Sequence, residues 1–197
     1  MLITVESLSV RYGNRVVLDD ISFSMQSGTV VAIVGPSGSG KSTLLAVVAG
    51  ELEPTAGHVR FAEAWDGRVS WIPQQSRHIG HRSTVSNAAL GALSQGSDRA
   101  DAKAAARRAL EQVHLSEVAD LAARHLSGGE LQRLAVARAL CTGHPIVLAD
   151  EPTANLDKAS AQSVACAMIT IAKHGRLVVI ATHDLAVADL ADQVITL

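Results

Sequence analysis

The chain has 197 residues, enough for one domain that buries a substantial core without disulfide or metal staples. Apolar residues make up 48% and aromatics only 3%, so the core has to be assembled from Ala, Val, Leu and Ile, which suits buried strands and closely packed helices. A formal charge of −2 removes the electrostatic reason to expect a nucleic-acid partner, whose binders carry a basic face.

Taken in order, Met1 to Val10 alternates in the manner of a strand, carries Glu6 and lacks a basic segment followed by an apolar stretch, so no export signal is expected. Ile3 to Val10 and Val16 to Met25 read as strands around a turn at Asn14. Ile21 to Gly40 is uncharged, but Ser, Gly, Gln and Pro interrupt it too often for a membrane span. Val30 to Val34 is a continuous apolar run, as expected of a strand buried on both faces. Lys41 to Ala49 is helical, Pro54 to Gly57 is a turn, and Val59 to Phe61 and Val69 to Ile72 are strands.

Only helices are expected from Thr84 to Leu140: a short one to Leu93, a longer one from Asp98 to Val113 and another from Gly129 to Leu140. Ser97-Asp98 supplies the cap of the long helix. Alternation then resumes with Ile146–Ala149, Lys158–Ala172, Leu177–Ala181, Leu185–Leu190 and Gln193–Leu197. The expected architecture is α/β, a mostly parallel sheet with flanking helices, an N-terminal antiparallel β portion and an inserted α-helical subdomain. A single domain is expected, with residues 1–74 and 141–197 as the core and 75–140 as the insert, and with no added regulatory domain expected after the last strand. Cys141 and Cys166 fall in helices without CxxC or His spacing and are expected to be small buried hydrophobes.

Three motifs carry chemistry. Gly35-Pro36-Ser37-Gly38-Ser39-Gly40-Lys41-Ser42, extended by Thr43, fits GxxxxGK[ST] between a strand and a helix, which defines the phosphate loop of a P-loop NTPase. Its glycines let backbone N–H groups turn inward, Lys41 is placed for the β and γ phosphates, and Ser42 for Mg²⁺. Second, the apolar strand before Asp150-Glu151 puts two carboxylates on the ligand edge of a parallel sheet. Asp150 is then positioned for Mg²⁺, whereas Glu151, pointing elsewhere by strand alternation, faces an attacking water as general base. Third, Ser127 caps the helix that follows Leu126, and Gly128 and Gly129 free the backbone to approach a second anion.

Leu126–Arg133 reads LSGGELQR, and with the other two motifs it resembles the signature of the ABC ATPase family over essentially the whole chain. The resemblance implies ATP and Mg²⁺ as ligands, and an ATP sandwich in which Ser127, Gly128 and Gly129 of one subunit close over the nucleotide held by another. That assembly would be a homodimer or a heterodimer with a second ABC ATPase. It also implies an adenine-stacking role for Tyr12, a sensing role toward Mg²⁺ and water for Gln74 (or its neighbour Gln75), contact with the opposite subunit for Ala154–Asp157 with Asp157 its key acid, and a γ-phosphate switch for His183. The other seven histidines are assigned no role. The chain departs from the family in lacking a Gly- or Pro-containing lead before the signature, where Ala123-Arg124-His125 stands, and in a shorter C-terminus.

The function so implied is ATP hydrolysis coupled to a transmembrane permease subunit, with the chain cytoplasmic and peripheral on the inner face of the membrane. Leu148 to Asp157 further resembles cassettes of the lipoprotein-release and macrolide-efflux type. The competing reading is an ABC ATPase acting on DNA or ribosomes, disfavoured by the compact insert, the single cassette and the mildly acidic charge. A P-loop kinase or GTPase leaves LSGGE unexplained.

Overall fold

A computed structural model describes residues 2–61, 67–75 and 77–197; Met1, at the start of the alternating segment, residues 62–66, in the expected core, and Ser76, in the expected insert, lie outside them. Strands β1 (Leu2–Tyr12), β2 (Arg15–Gln26) and β4 (Ala56–Phe61) form an antiparallel sheet in the order β2-β1-β4. Strands β3 (Val30–Val34), β5 (Val69–Ile72), β6 (Ile146–Asp150), β7 (Leu177–Thr182) and β8 (Gln193–Thr196) form a parallel sheet in the order β5-β6-β7-β3-β8.

Strand periodicity divides most of the interior in two, with a small third cluster of Ala32, Val34 and Ala188. Ile146 and Leu148 of β6 join Val31, Ile33, Val179, helix α1 (Lys41–Val48) and the antiparallel sheet in one core. Val147 and Ala149, one residue out of phase, join Val178 and Ile180 in a second core with the helices of the insert. A strand serving two cores has no polar face, which is why β3 and β7 are buried at every position.

The insert comprises α2 (Thr84–Ala88), α3 (Leu90–Leu93), α4 (Arg99–Gln112) and α5 (Gly128–Thr142). It packs largely through alanine, with Ala88, Ala92, Ala102, Ala106, Ala135 and Ala139 all buried. Helix α6 (Lys158–Lys173) and the short α7 (Leu185–Ala188) complete the core.

Several expectations change in detail. The Thr84–Leu93 segment is two helices joined at Ala89, and β4 begins at Ala56, inside the expected turn. Asp98 alone caps α4, accepting from the Ala100 and Asp101 amides. The insert also contains a short 3-10 turn at Ala123–His125 and a β-bridge between Ser83 and Ala122. Cys141 is half-buried, and burial pushes its thiol up to about 11 against the opposing influence of Arg176 and Arg108. Cys166 is exposed on α6, because it lies on the face opposite Val164, Ala165 and Met168.

Gly91 marks the tightest approach within the insert: a Cβ there would lie 2.2 Å from the Arg138 carbonyl oxygen of α5. Gly91→Ala is therefore expected to lower stability in urea unfolding by about 1–3 kcal/mol. Gly80→Ala, whose Cβ would meet only Arg124 Cβ at 3.5 Å, should stay within about 0.5 kcal/mol of the parent.

Candidate active site

The sheet delivers its functional residues to one edge. Gly35 follows β3, Gln74 follows β5 after the intervening Pro73, Glu151 follows β6 and His183 follows β7, all at carboxyl ends of parallel strands. A cleft of about 550 Å³ opens there, lined by Tyr12, Ser37, Gly38, Gly40, Lys41, Ser42, Thr43, Gln74, Asp150 and Glu151 together with Arg15 and Val17.

The phosphate loop is curled by contacts that only glycine permits at two positions. A Cβ on Gly35 would lie 2.5 Å from Ser39 Oγ and 2.9 Å from the Leu197 carbonyl oxygen. At Gly40 φ is 100°, and a Cβ would lie 2.6 Å from Leu18 Cδ2 and 3.0 Å from the Val17 carbonyl oxygen. The antiparallel sheet thus backs the loop, and carries Tyr12 and Arg15 to the cleft wall. Tyr12 is 56% exposed there, so its ring is open to a stacking partner.

Lys41 occupies the centre of the loop and is only 6% exposed. Its Nζ donates to the carbonyl oxygens of Gly35 at 2.8 Å and Pro36 at 3.2 Å, and pairs with Glu151 Oε1 at 3.4 Å. Glu151 Oε2 accepts from His183 Nδ1 at 2.9 Å and from the His183 backbone N–H at 3.4 Å. Strand alternation does not set this orientation. Glu151 has φ 46°, so a left-handed residue just past β6 turns the carboxylate between lysine and histidine, while its own N–H still donates to Ala181 O at 2.8 Å.

The site fits a polyphosphate with a hard cation. Ser39 Oγ is buried inside the loop without a hydrogen-bond partner among the described residues, a polar atom suited to an incoming acceptor. Ser42, Asp150 and Gln74 offer only oxygen donors suited to Mg²⁺, which retains waters and borrows phosphate oxygens instead of filling an all-protein cage.

The other motif residues lie elsewhere. Ser127, Gly128, Gly129 and Asp157 do not line the cleft; Ser127, Gly128 and Asp157 are exposed elsewhere, and Gly129 is buried beneath them. Ser127 forms a full capping box with Glu130, donating its N–H and Oγ–H to Oε2 at 2.8 Å each, while its Oγ accepts from the Glu130 N–H at 3.3 Å. Gly129 lets α5 approach α6, since a Cβ would lie 2.9 Å from Ser160 Cβ. Ser160 in turn donates to Asp157, the N-cap of α6, from Oγ at 2.6 Å and from its backbone N–H at 3.0 Å. These two bonds, the hydroxyl's first, hold the Asp157 carboxyl below its ordinary range. The signature and the Ala154–Asp157 loop therefore form one continuous ledge.

Two participants escaped the sequence reading. Arg15 lines the cleft because it is the cross-strand partner of Tyr12, a juxtaposition a two-residue hairpin at Gly13-Asn14 could have signalled. Gln132 is buried in α5 and donates to loop carbonyls next to Gln74; no local pattern distinguishes it from a solvent-facing glutamine.

Comparison with known proteins gives the lineage. The description of the ABC transporter family matches residues 18–154. The chain belongs to that family. It is 39% identical to the molybdenum import ATP-binding protein ModC of Mycobacterium tuberculosis, in an alignment covering 90% of this chain and 53% of that protein. It is 35% identical to the macrolide export ATP-binding/permease protein MacB of Salmonella typhimurium, covering 91% of this chain and 30% of the relative. The chain thus spans about half the length of ModC and less of MacB. Among solved structures, a dimeric ATP-binding cassette in a post-hydrolysis state bound to ADP and Pi superposes with a TM-score of 0.81 at 27% identity, over 99% of this chain and 94% of that one.

The capping box gives a pH-dependent prediction. The Ser127 backbone and hydroxyl hydrogen bonds, aided by Arg133, hold the Glu130 carboxyl below its ordinary value of 4.5 against a small opposing effect of burial. A depressed folded pKa means the contribution is complete above the unfolded value and lost as pH falls through the folded one. Glu130→Ala should therefore cost about 0.5–2 kcal/mol at pH 7, and urea titrations at falling pH should show that difference shrinking below pH ~4.5.

Proposed function

We propose that this chain binds Mg·ATP in the cleft and hydrolyses it, driving transport through a transmembrane permease subunit. The observation that carries this reading is Glu151, held between the phosphate-loop lysine and His183 at the ligand edge of the sheet. In the nucleotide-free arrangement Glu151 balances the charge of Lys41. An incoming triphosphate competes for that ammonium, and the released carboxylate keeps its bond to His183.

Water then attacks the γ-phosphorus, the bond to the β–γ bridging oxygen breaks with its electron pair leaving on ADP, and Glu151 accepts the proton of the attacking water. Bound Mg²⁺ supplies neutralisation of developing charge on the phosphate oxygens. Ser42 and Asp150 would hold it, with Gln74 lining the same cleft. Gly35, Ser37, Gly38, Ser39, Gly40 and Thr43 cradle the phosphates, and Tyr12 stacks on the adenine.

Ser127, Gly128, Gly129 and Asp157 complete the site of a second cassette. Three things support that sharing: their placement on a ledge away from the cleft, the exposure of Ser127 and Gly128, and the dimeric cassette the chain resembles. The core (1–74 and 141–197) carries nucleotide chemistry and the insert (75–140) carries the signature and the docking surface for the permease. Among the described residues no helix is long and apolar enough to cross a membrane. The chain then works at the cytoplasmic face, where ATP is available. ModC names an importer and MacB an exporter, so the resemblance of Leu148–Asp157 to efflux cassettes selects no direction.

Glu151→Gln is expected to retain ATP binding while losing about 10²–10⁴ in turnover, and to accumulate an ATP-bound dimer on gel filtration. Unchanged turnover would remove Glu151 from its role. Lys41→Ala should weaken ATP binding itself by equilibrium titration. Ser127→Arg should bind ATP as a monomer yet hydrolyse none; persistence of its activity at every protein concentration would contradict the shared site.

A further inference from the structure

The loop that carries Gln74 leaves the parallel sheet at Ile72 and is thereafter tied to the helical insert. Gln132, 4% exposed on α5, donates from Nε2 to the carbonyl oxygens of Pro73 at 3.1 Å and Gln74 at 3.3 Å. Arg138, also on α5, donates to the Arg77 carbonyl at 2.9 Å. Asn87, 1% exposed on α2, accepts from the Ile79 N–H at 2.7 Å and donates to the carbonyls of Ile79, Arg82 and Ser83 at 3.1–3.2 Å.

Helix α5 begins at the signature, and Gln132 lies five residues beyond its N-cap Ser127, roughly 7.5 Å along the axis at 1.5 Å per residue. One rigid helix therefore presents Ser127 to a neighbouring cassette at its tip and holds the backbone of Gln74 from its side. The capping box stiffens the tip and the Gly129–Ser160 contact fixes it to α6.

From this geometry we infer that Gln132 is the positioning residue that sets Gln74 in the cleft according to the placement of the signature helix, linking the nucleotide held by this chain to the one its signature covers. The inference rests on the ATPase reading of the cleft. Gln132 touches neither nucleotide. Its amide is matched to the task because one NH₂ group supplies two donors to two successive carbonyls, holding the peptide units on both sides of the Gln74 Cα. Methionine has nearly the same shape and supplies neither donor.

Gln132→Met should leave the fold and ATP affinity unchanged. In the nucleotide-free chain, amide hydrogen exchange at Gln74 and Gln75 should quicken about tenfold, the scale of losing one to two net hydrogen bonds, with α1 and α6 unaffected. In Mg·ATP, kcat should fall about 10–100-fold with little change in KM, since a small misplacement of a catalytic group acts on the chemical step. The dependence of rate on ATP concentration should also lose any sigmoidal character shown by the wild type. Should Gln132→Met fail to fold, Gln132→Glu keeps the shape, exchanges donors for acceptors and is expected to give the same changes. Unaltered loop exchange, or unaltered kcat beside active wild type, overturns the inference alone. Absence of ATPase in the wild-type chain overturns the functional reading and this inference with it.

Discussion

A buried ammonium group organises this molecule. Lys41 is almost fully enclosed, and an enclosed cation requires both hydrogen-bond acceptors and a balancing charge. The acceptors are the Gly35 and Pro36 carbonyls, which bend the phosphate loop back over its own lysine; the charge is Glu151. These partners come from the ends of β3 and β6, separated in the sheet by β7, whose end supplies His183 to the same carboxylate. Three strand ends are thus joined through one carboxylate, and any group that competes for the lysine disturbs all three.

The sheet makes such a junction possible because its strands are parallel and buried on both faces. Parallel strands bring their carboxyl ends to one edge. Burial on both faces needs two separate cores, and the chain builds one from the antiparallel sheet with α1 and the other from the insert with α6. Each core also contributes a functional wall. The antiparallel sheet brings Tyr12 and Arg15 to the cleft, and the insert carries the signature ledge and grips the Gln74 loop through Gln132, Arg138 and Asn87. Stability and function are therefore built from the same layers.

How far the sequence revealed this depends on the range of the interaction. The P-loop core, the antiparallel portion and the helical insert were legible because continuous apolar runs, alternation and cap residues act locally, as at Val30–Val34 and at Ser127. The phosphate loop and the Asp150–Glu151 pair were legible because a GxxxxGK[ST] loop and an acid pair after an apolar strand each hold their chemistry within a few consecutive residues, whereas Tyr12, Gln74 and His183 were singled out only by the family resemblance. Three features were not legible. The left-handed turn at Glu151 is unusual for a non-glycine residue and is held by contacts from β7 and Lys41. Gln132 is buried by a loop 58 residues away, so nothing near it in the chain reveals its partners. Cys166 was expected inside as a small hydrophobe in a helix without CxxC or His spacing, yet it lies on the outward face of α6.

The central claim is that Lys41 exchanges Glu151 for phosphate when nucleotide arrives, and a crystal structure of the chain with a non-hydrolysable ATP analogue and Mg²⁺ tests it most directly. The account predicts Lys41 Nζ within hydrogen-bond distance of β- or γ-phosphate oxygens and its 3.4 Å pairing with Glu151 Oε1 broken, with the His183–Glu151 contact retained. An intact Lys41–Glu151 pair beside a fully bound triphosphate would contradict it.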